Sequence, residues 1–344
     1  MNIVVLGGGI STERDVSLTS SKNIVKALRS IGENAVLLDA FMGYEGDIDT
    51  FFENGADEDA ASLIGLTDPS LDEIKKARGV SEDRFFGKNV IKICKKADFV
   101  FLGLHGEDGE DGKVQASFDL LGIKYTGSGC LASALAMNKY YSKQIMVANG
   151  IKTADYTVMK KGGNASTGFT RPCVIKPCSG GSSVGVSIVQ NADEYELALE
   201  KAFKYEDEIV IEDYIKGREF SVGVLGDTVL PPIEIIPKDG FYDYENKYQA
   251  GKTIEVCPAQ LTKEQTKVLQ FYAKRVFDAL GLEVYGRIDF ILNSRDGDFY
   301  CLEANSLPGM TQMSLLPQEA AAIGIEYPEL CKRIIEISDL KYDE

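Results

Sequence analysis

The stretch Gly286–Met310, GRIDFILNSRDGDFYCLEANSLPGM, reads as a β-hairpin. Two apolar runs, Ile288–Leu292 and Phe299–Leu302, flank the turn segment NSRDGD. Side chains alternate faces along a strand. Ile288, Phe290 and Leu292 therefore share one face, and Arg287 and Asp289 the other. On the return strand Tyr300, Leu302 and Ala304 are expected on one face, with Glu303 and Asn305 opposite. A turn centred near Asp296 sets Asp289 across from Glu303 and Arg287 across from Asn305. The apolar face belongs to a core. The other presents two carboxylates, an amide oxygen and a guanidinium. A bulge in the hairpin would break this register.

Two carboxylates and an amide oxygen are hard ligands. Mg²⁺ takes one or two carboxylates and completes its shell with water and substrate phosphates. Asp289, Glu303 and Asn305 are accordingly the expected metal ligands, for Mg²⁺ or alternatively Mn²⁺. Arg287 beside them can hold a phosphate or a developing oxyanion. The charged face runs into Asn305-Ser-Leu-Pro-Gly309, a tight loop whose N–H groups can point at a ligand. A solvated face of an amphipathic hairpin is the plainer alternative.

GRIDF followed by LEANSLPGM resembles the metal-binding signature of the ATP-grasp ligases. Within that superfamily it is most similar to the D-alanine–D-alanine ligase family. The resemblance implies three α/β lobes. An N-terminal doubly wound parallel-sheet domain (pre-ATP-grasp, 1–127) precedes a two-lobe ATP-grasp fold, with a small lobe at 128–212 and a large lobe at 213–344.

Length suggests two or three lobes, and composition is that of a globular protein. The chain has 344 residues, 44% of them hydrophobic. A net charge of −16 without a basic run disfavours nucleic acid and anionic membrane as partners. Seven Cys without a CxxC pair, and a single His, give no zinc pattern and suggest free thiols in a reducing compartment. The chain opens on a strand-like run, NIVVLGGG, and no apolar run nears the roughly 20 residues a bilayer span needs. The expectation is a cytoplasmic protein.

In the N-terminal lobe, Ile3–Leu6, Ala35–Leu38 and Phe99–Leu102 read as buried strands, alternating with a helix that Asp15 or Ser17 caps and that runs to about Ser30. Ligands on such sheets sit beyond the carboxyl ends of the strands, where Glu13 and His105 fall. The glycine loop Gly7-Gly8-Gly9 does not complete a dinucleotide fingerprint, because position 12 is Thr. GGGISTERDVSL is instead similar to the family's N-terminal signature, which assigns Glu13 to the ammonium of the first D-alanine. LGLHGEDGEDG (102–112) matches the family's HG-x-x-GEDG pattern and gives His105 a positioning or polarising role. Residues 41–96 match no family motif.

In the central lobe, ASALAMNKYYSKQIMVANG reads as one helix carrying Lys139. Val174-Ile-Lys-Pro177 reads as a strand in which a buried Lys176 needs an anion. The following CSGGSSVGVSIV is a glycine-rich loop whose N–H groups can nest phosphate, though it is not a Walker A motif. By resemblance Lys139, Lys176 and Ser183 are phosphate ligands. Glu212 accepts from the adenine amine, Ile215 completes adenine recognition through its main chain, and Glu219 binds the ribose. The loop Phe241–Tyr248 matches the family's ω-loop, whose Lys247 and Tyr248 close over the second substrate; Ser182 bonds Tyr248 in a network with Glu13. Residues 262–280 carry an apolar helical stripe of Val268, Leu269, Tyr272, Val276, Phe277 and Leu280. Ser314 and Leu315 lie around the carboxylate of the second D-alanine.

The activity so implied is ATP-dependent ligation of two D-alanine molecules through an acyl phosphate, with Arg287 and the Gly309 N–H stabilising the oxyanion. It serves peptidoglycan precursor synthesis in a homodimeric enzyme. A D-alanyl-D-serine or D-alanyl-D-lactate ligase is the nearer alternative. A non-catalytic nucleotide sensor is the alternative of another class, against which intact Arg287, Asp289, Glu303 and Asn305 argue.

Overall fold

The computed structural model describes residues 1–54, 71–78, 84–163, 169–181, 184–238 and 253–343. Three sheets organise them, as the three-lobe reading expects. Strands β1 (Asn2–Gly7), β2 (Asn34–Asp39) and β3 (Phe99–Leu102) form a parallel sheet in the order β2-β1-β3. Ile3 to Leu6 are wholly buried, as expected of a parallel strand covered on both faces. The helix Arg14–Ser30 packs beside β1 and β2. Its N-cap position is Glu13, with no side-chain cap bond, so neither Asp15 nor Ser17 caps it. The Ser17 hydroxyl instead accepts from Gly8 N–H (2.9 Å) and donates to the Gly103 carbonyl (2.7 Å), tying the glycine loop to the end of β3.

Strands β4 (Tyr156–Lys160), β5 (Cys173–Pro177), β6 (Ser187–Val189) and β7 (Glu208–Asp213) make an antiparallel sheet in the order β4-β7-β5-β6. The helix Ala192–Ala202 covers it through Tyr195, Ala198 and Leu199.

The largest sheet holds β8 (Gly217–Leu225), β9 (Thr228–Val229), β10 (Ile233–Pro237), β11 (Thr253–Val256), β12 (Tyr285–Asn293) and β13 (Phe299–Asn305). Its order is β11-β10-β8-β12-β13, with β9 on β8. The helix Lys263–Ala279 packs on it, started by a capping box between Thr262 and Gln265. Leu269, Ala273, Val276 and Phe277 enter the core, whereas Val268, expected in the stripe, is 44% exposed. The sequence 132–150 is two helices, not one: Cys130–Met137 and Lys139–Ala148. Extended Asn138 breaks them, and its side chain caps the second by accepting from the N–H groups of Tyr140 and Tyr141. Near the carboxyl terminus the helix Leu315–Ala321 packs on β8, and the helix Tyr327–Asp339 returns to the helix Arg14–Ser30, where Leu330, Ile334 and Ile335 join the core of Ile24 and Leu28.

Candidate active site

The β12–β13 hairpin has the expected register at its charged end: Arg287 pairs with Asn305 and Asp289 with Glu303. A register shift follows between Asp289 and Phe290, because Leu302 is an extra residue on β13. The shift lies between the turn and the charged pairs, and it is the extra residue that brings Asp289 across from Glu303. It also changes the return strand. Phe299, Cys301 and Ala304 enter the core instead of the expected Tyr300, Leu302 and Ala304. Leu302 turns to the cavity beside Glu303, and the Tyr300 hydroxyl donates to Asp296 (2.8 Å).

That cavity has a volume of about 630 Å³ and lies between the small and large sheets. Val174, Ile215, Phe220, Ile291 and Leu302 supply apolar walls; Glu219 lies on its rim. Asp289 and Glu303 line it, as do Lys139 and Lys176. Such a space suits a flat base with a charged tail.

Asp289 is held on several sides. Arg287 donates to both its oxygens (3.0 and 2.9 Å), Ser221 donates to Oδ1 (2.7 Å), and Asn305 Nδ2 donates to Oδ2 (3.1 Å). Among the described residues, no group of three or more His, Cys, Asp or Glu could hold a metal. The chain thus offers two carboxylates and an amide oxygen, a partial shell for a hard cation that substrate phosphates would complete. This donor set fits Mg²⁺.

The cations near these acids are buried. Lys139 starts its helix and donates to the Gly180 carbonyl (2.7 Å), with Glu303 Oε2 at 3.7 Å. Lys176 meets an anion, as the cost of burying it requires, and the anion is Glu212: Nζ lies 2.5 Å from Oε1. The second oxygen of Glu212 is 2.6 Å from Lys143. Burial alone would raise the Glu212 carboxyl and lower the Lys176 ammonium; the paired charges outweigh it and move each the other way. For Lys143 burial wins, and its ammonium is lowered against the opposing pull of Glu212.

At the N-terminal side Glu13 is buried, and a Cβ on Gly181 would come within 2.7 Å of its Oε2. The glycine-rich segment can pass so near only because that residue is glycine. His105 is held rather than free. Its Nδ1 donates to the Leu307 carbonyl (3.2 Å), Nε2 faces Ser20 Oγ (3.1 Å), and Glu110 Oε1 lies 3.4 Å from Nδ1. It therefore ties the N-terminal lobe to the NSLPG loop. Ser314 Oγ accepts from Thr311 N–H (3.0 Å) and would lie 3.0 Å from a Cβ on Gly309, so these two expected residues adjoin. Leu315 is buried with Ile233 and Ile235. Ser182, Ser183, Lys247 and Tyr248 lie outside the described residues.

Comparison with known proteins agrees along the whole chain. The family described as D-ala D-ala ligase N-terminus matches residues 2–128, and D-ala D-ala ligase C-terminus matches 145–336. The chain is 47% identical to the D-alanine–D-alanine ligase of Pediococcus pentosaceus, over 100% of this chain and 99% of that one. The chain belongs to the D-alanine–D-alanine ligase family. The family's enzyme from Lacticaseibacillus casei is 44% identical, over 97% of this chain and 95% of its own. Among solved structures, the D-alanine–D-alanine ligase from Bacillus anthracis complexed with ATP has a TM-score of 0.74 at 32% identity, covering 99% of this chain and 98% of that one. VanG D-Ala:D-Ser ligase from Enterococcus faecalis has a TM-score of 0.76 at 28% identity, covering 98% of each. The fold is thus that of the ATP-grasp ligases.

Motif reading gave no role to three groups that contact the expected site residues: Lys143, Ser221 and Glu110. Lys143 had a signal. It lies four residues after Lys139, so the two share a helix face. Ser221 had none within its strand, because it meets Asp289 only through the pairing of β8 with β12.

Proposed function

We propose that this ligase joins two D-alanine molecules into D-alanyl-D-alanine at the expense of ATP, for peptidoglycan precursors. The register of the β12–β13 hairpin carries the reading: it pairs Asp289 with Glu303 and Arg287 with Asn305, and Asp289 and Glu303 line the cavity together with Lys139 and Lys176. Adenine lies among the apolar walls, with its amine toward Glu212 and the main chain of Ile215. Glu219 takes the ribose hydroxyls. Lys139, Lys176 and the glycine-rich loop with Ser183 take the phosphates. Mg²⁺, or Mn²⁺ in its place, would be held by Asp289, Glu303 and Asn305 and would supply charge neutralisation for the phosphates.

Glu13 holds the ammonium of the first D-alanine, and the carboxylate oxygen of that D-alanine attacks the γ-phosphorus of ATP. The P–O bond to ADP breaks and an acyl phosphate forms. His105 positions the loop beside this carboxylate. The deprotonated amine of the second D-alanine attacks the acyl carbon. Arg287 and the Gly309 N–H stabilise the tetrahedral oxyanion, and phosphate leaves as the peptide bond forms. Ser314 and Lys247 bind the carboxylate of the second substrate, under an ω-loop fixed by Tyr248, Ser182 and Glu13. A homodimer and a cytoplasmic place of action go with this reading. No helix among the described residues is long and apolar enough to cross a membrane.

The Enterococcus faecalis relative is a D-Ala:D-Ser ligase. Here the buried, apolar surroundings of Leu315 favour D-alanine over D-serine in the second position. Phosphate release from Mg²⁺-ATP with D-Ala, L-Ala, D-Ser and D-lactate in turn tests the proposal. D-Ala alone should support full turnover and give a product with the mass of the dipeptide. Release dependent on L-Ala, or a depsipeptide as main product at pH 7, would refute it.

A further inference from the structure

Glu212 is a single acid between two lysines. Lys143 Nζ lies 2.6 Å from Oε2 and Lys176 Nζ 2.5 Å from Oε1, so each oxygen has its own cation. The two lysines reach it from different elements. Lys176 stands on β5 and Glu212 on β7, both in the small sheet. Lys143 stands on the Lys139–Ala148 helix, whose Met146 is in the core of the large sheet. Lys143 also donates to Thr153 Oγ1 (2.5 Å), and Thr153 Oγ1 donates to the Cys301 carbonyl (2.9 Å), two residues before Glu303 on β13. A fully buried ammonium therefore links the strand that carries a proposed metal ligand to the proposed adenine acceptor.

One lysine suffices to neutralise Glu212. A second buried one is costly, and an apolar side chain of similar volume would fill its place at lower free energy. The second is needed if the first must leave. Lys176 cannot both serve a phosphate and remain the sole counter-charge of Glu212, because breaking a buried pair leaves an uncompensated charge. We infer that Lys143 is a positioning residue for nucleotide binding: it holds Oε2 of Glu212 and keeps its charge balanced while Lys176 turns to phosphate and Oε1 passes to the adenine amine. The inference rests on the proposed roles of Glu212 and Lys176.

Steady-state kinetics on the full chain test it. Lys143→Met is compared with wild type, Lys176→Met, Glu212→Gln and the double variant Lys143→Met/Glu212→Gln, using ATP and ITP, whose base carries an oxygen in place of the amine. Lys143→Met should raise KM for ATP on the order of tenfold, the range for losing a bond to a charged group. KM for D-alanine should stay within about twofold, and the preference for ATP over ITP should shrink. A merely structural anchor would not separate the two nucleotides. In the double variant the Lys143 substitution should add little to the effect of Glu212→Gln, as coupled residues do. Thr153→Val removes the hydroxyl that steers Nζ and leaves all three charges. It should give the same pattern more weakly, and serves if Lys143→Met fails to fold. Unchanged ATP affinity in Lys176→Met and Glu212→Gln would overturn both the site reading and the inference. Raised KM in those two, with Lys143→Met unaffected or shifting ATP, ITP and D-alanine alike, would overturn the inference alone.

Discussion

The hairpin wall and the cleft floor hold the same chemistry, acids and bases at short range, in opposite ways. On the wall, Asp289 and Glu303 are partly exposed to the cavity, and Asp289 is held by neutral and cationic donors on its own sheet. On the floor, Glu212 is out of water, and its two cations come from separate elements. The wall is a local object, fixed by one turn and strand alternation. The floor exists only once the small sheet docks on the Lys139–Ala148 helix. The wall can shed donors to a cation and stay solvated. The floor must keep its charges balanced at every stage.

The largest effect is expected on the wall. Glu303→Gln should lower kcat on the order of 10²-fold or more, since it removes charge opposite the transferring phosphoryl group. Phosphate release measured against Mg²⁺ concentration checks this, and turnover with unchanged metal dependence would remove Glu303 from the site. On the floor, Lys176→Met should weaken ATP binding by roughly 10- to 100-fold, the range for a lost bond to a charged partner. Lys143 keeps Glu212 paired, so the fold should survive. Calorimetric titration with ATP beside a thermal melt separates the two outcomes, and an unaltered affinity would show that Lys176 serves only Glu212.

Local pattern explains how much could be read beforehand. A turn centred near Asp296 with unbroken alternation placed Asp289 against Glu303; the turn in fact closes half a residue earlier, with Leu292 across from Phe299, and the extra residue Leu302 restores the charged pairing. The same irregularity defeated the reading of Tyr300 and Leu302, since a bulge leaves no signature in an alternating apolar run. The break at Asn138 was missed because every residue from Ala132 to Ala148 tolerates a helix; the first helix ends where Asn138 turns extended, and the side chain of Asn138 caps the second. Lys143 was missed because a lysine on a helix is ordinarily solvated, and its burial is decided by Glu212 nearly seventy positions on. Strand order, likewise, is absent from any one strand's sequence, so Ser221 could not be matched to Asp289.

A smaller effect concerns the second substrate. Leu315 is buried against Ile233 and Ile235, with no place for a hydroxyl among these apolar neighbours. A buried hydroxyl without a partner costs about 1–3 kcal/mol, or roughly 5- to 150-fold in selectivity. D-alanine should outcompete D-serine by a modest factor within that range. Competition at equal concentrations, with products separated by mass, measures it. A mixed dipeptide in the majority would mean that Leu315 does not line the second subsite.

The smallest effect lies behind the wall. Glu319 is a buried carboxyl on the Leu315–Ala321 helix. Oε2 accepts from Gly223 N–H (2.6 Å), and Gly223 pairs with Arg287 across β8 and β12. Oε1 has no hydrogen-bond partner among the described residues. Burial pushes this carboxyl well above its usual range, against the Gly223 N–H and Arg287. Glu212, equally buried but doubly paired, moves down. The sign follows from proton counts. Above the unfolded value of about 4.5 the unfolded chain has released its proton while the folded chain still holds it. Stability from this group is thus complete below that pH and is lost as pH rises toward the folded value. Glu319→Gln cannot ionise, and its amide oxygen can still accept from Gly223. Its melting temperature should therefore fall less steeply between pH 5 and pH 8 than that of wild type. A full pH unit of such linkage is about 1.4 kcal/mol, or at most about 2–4 °C for a chain of this size. Melts of both proteins in matched buffers decide it: parallel curves would mean that Glu319 ionises as easily folded as unfolded, and that the acid behind the wall is as well compensated as the one in the floor.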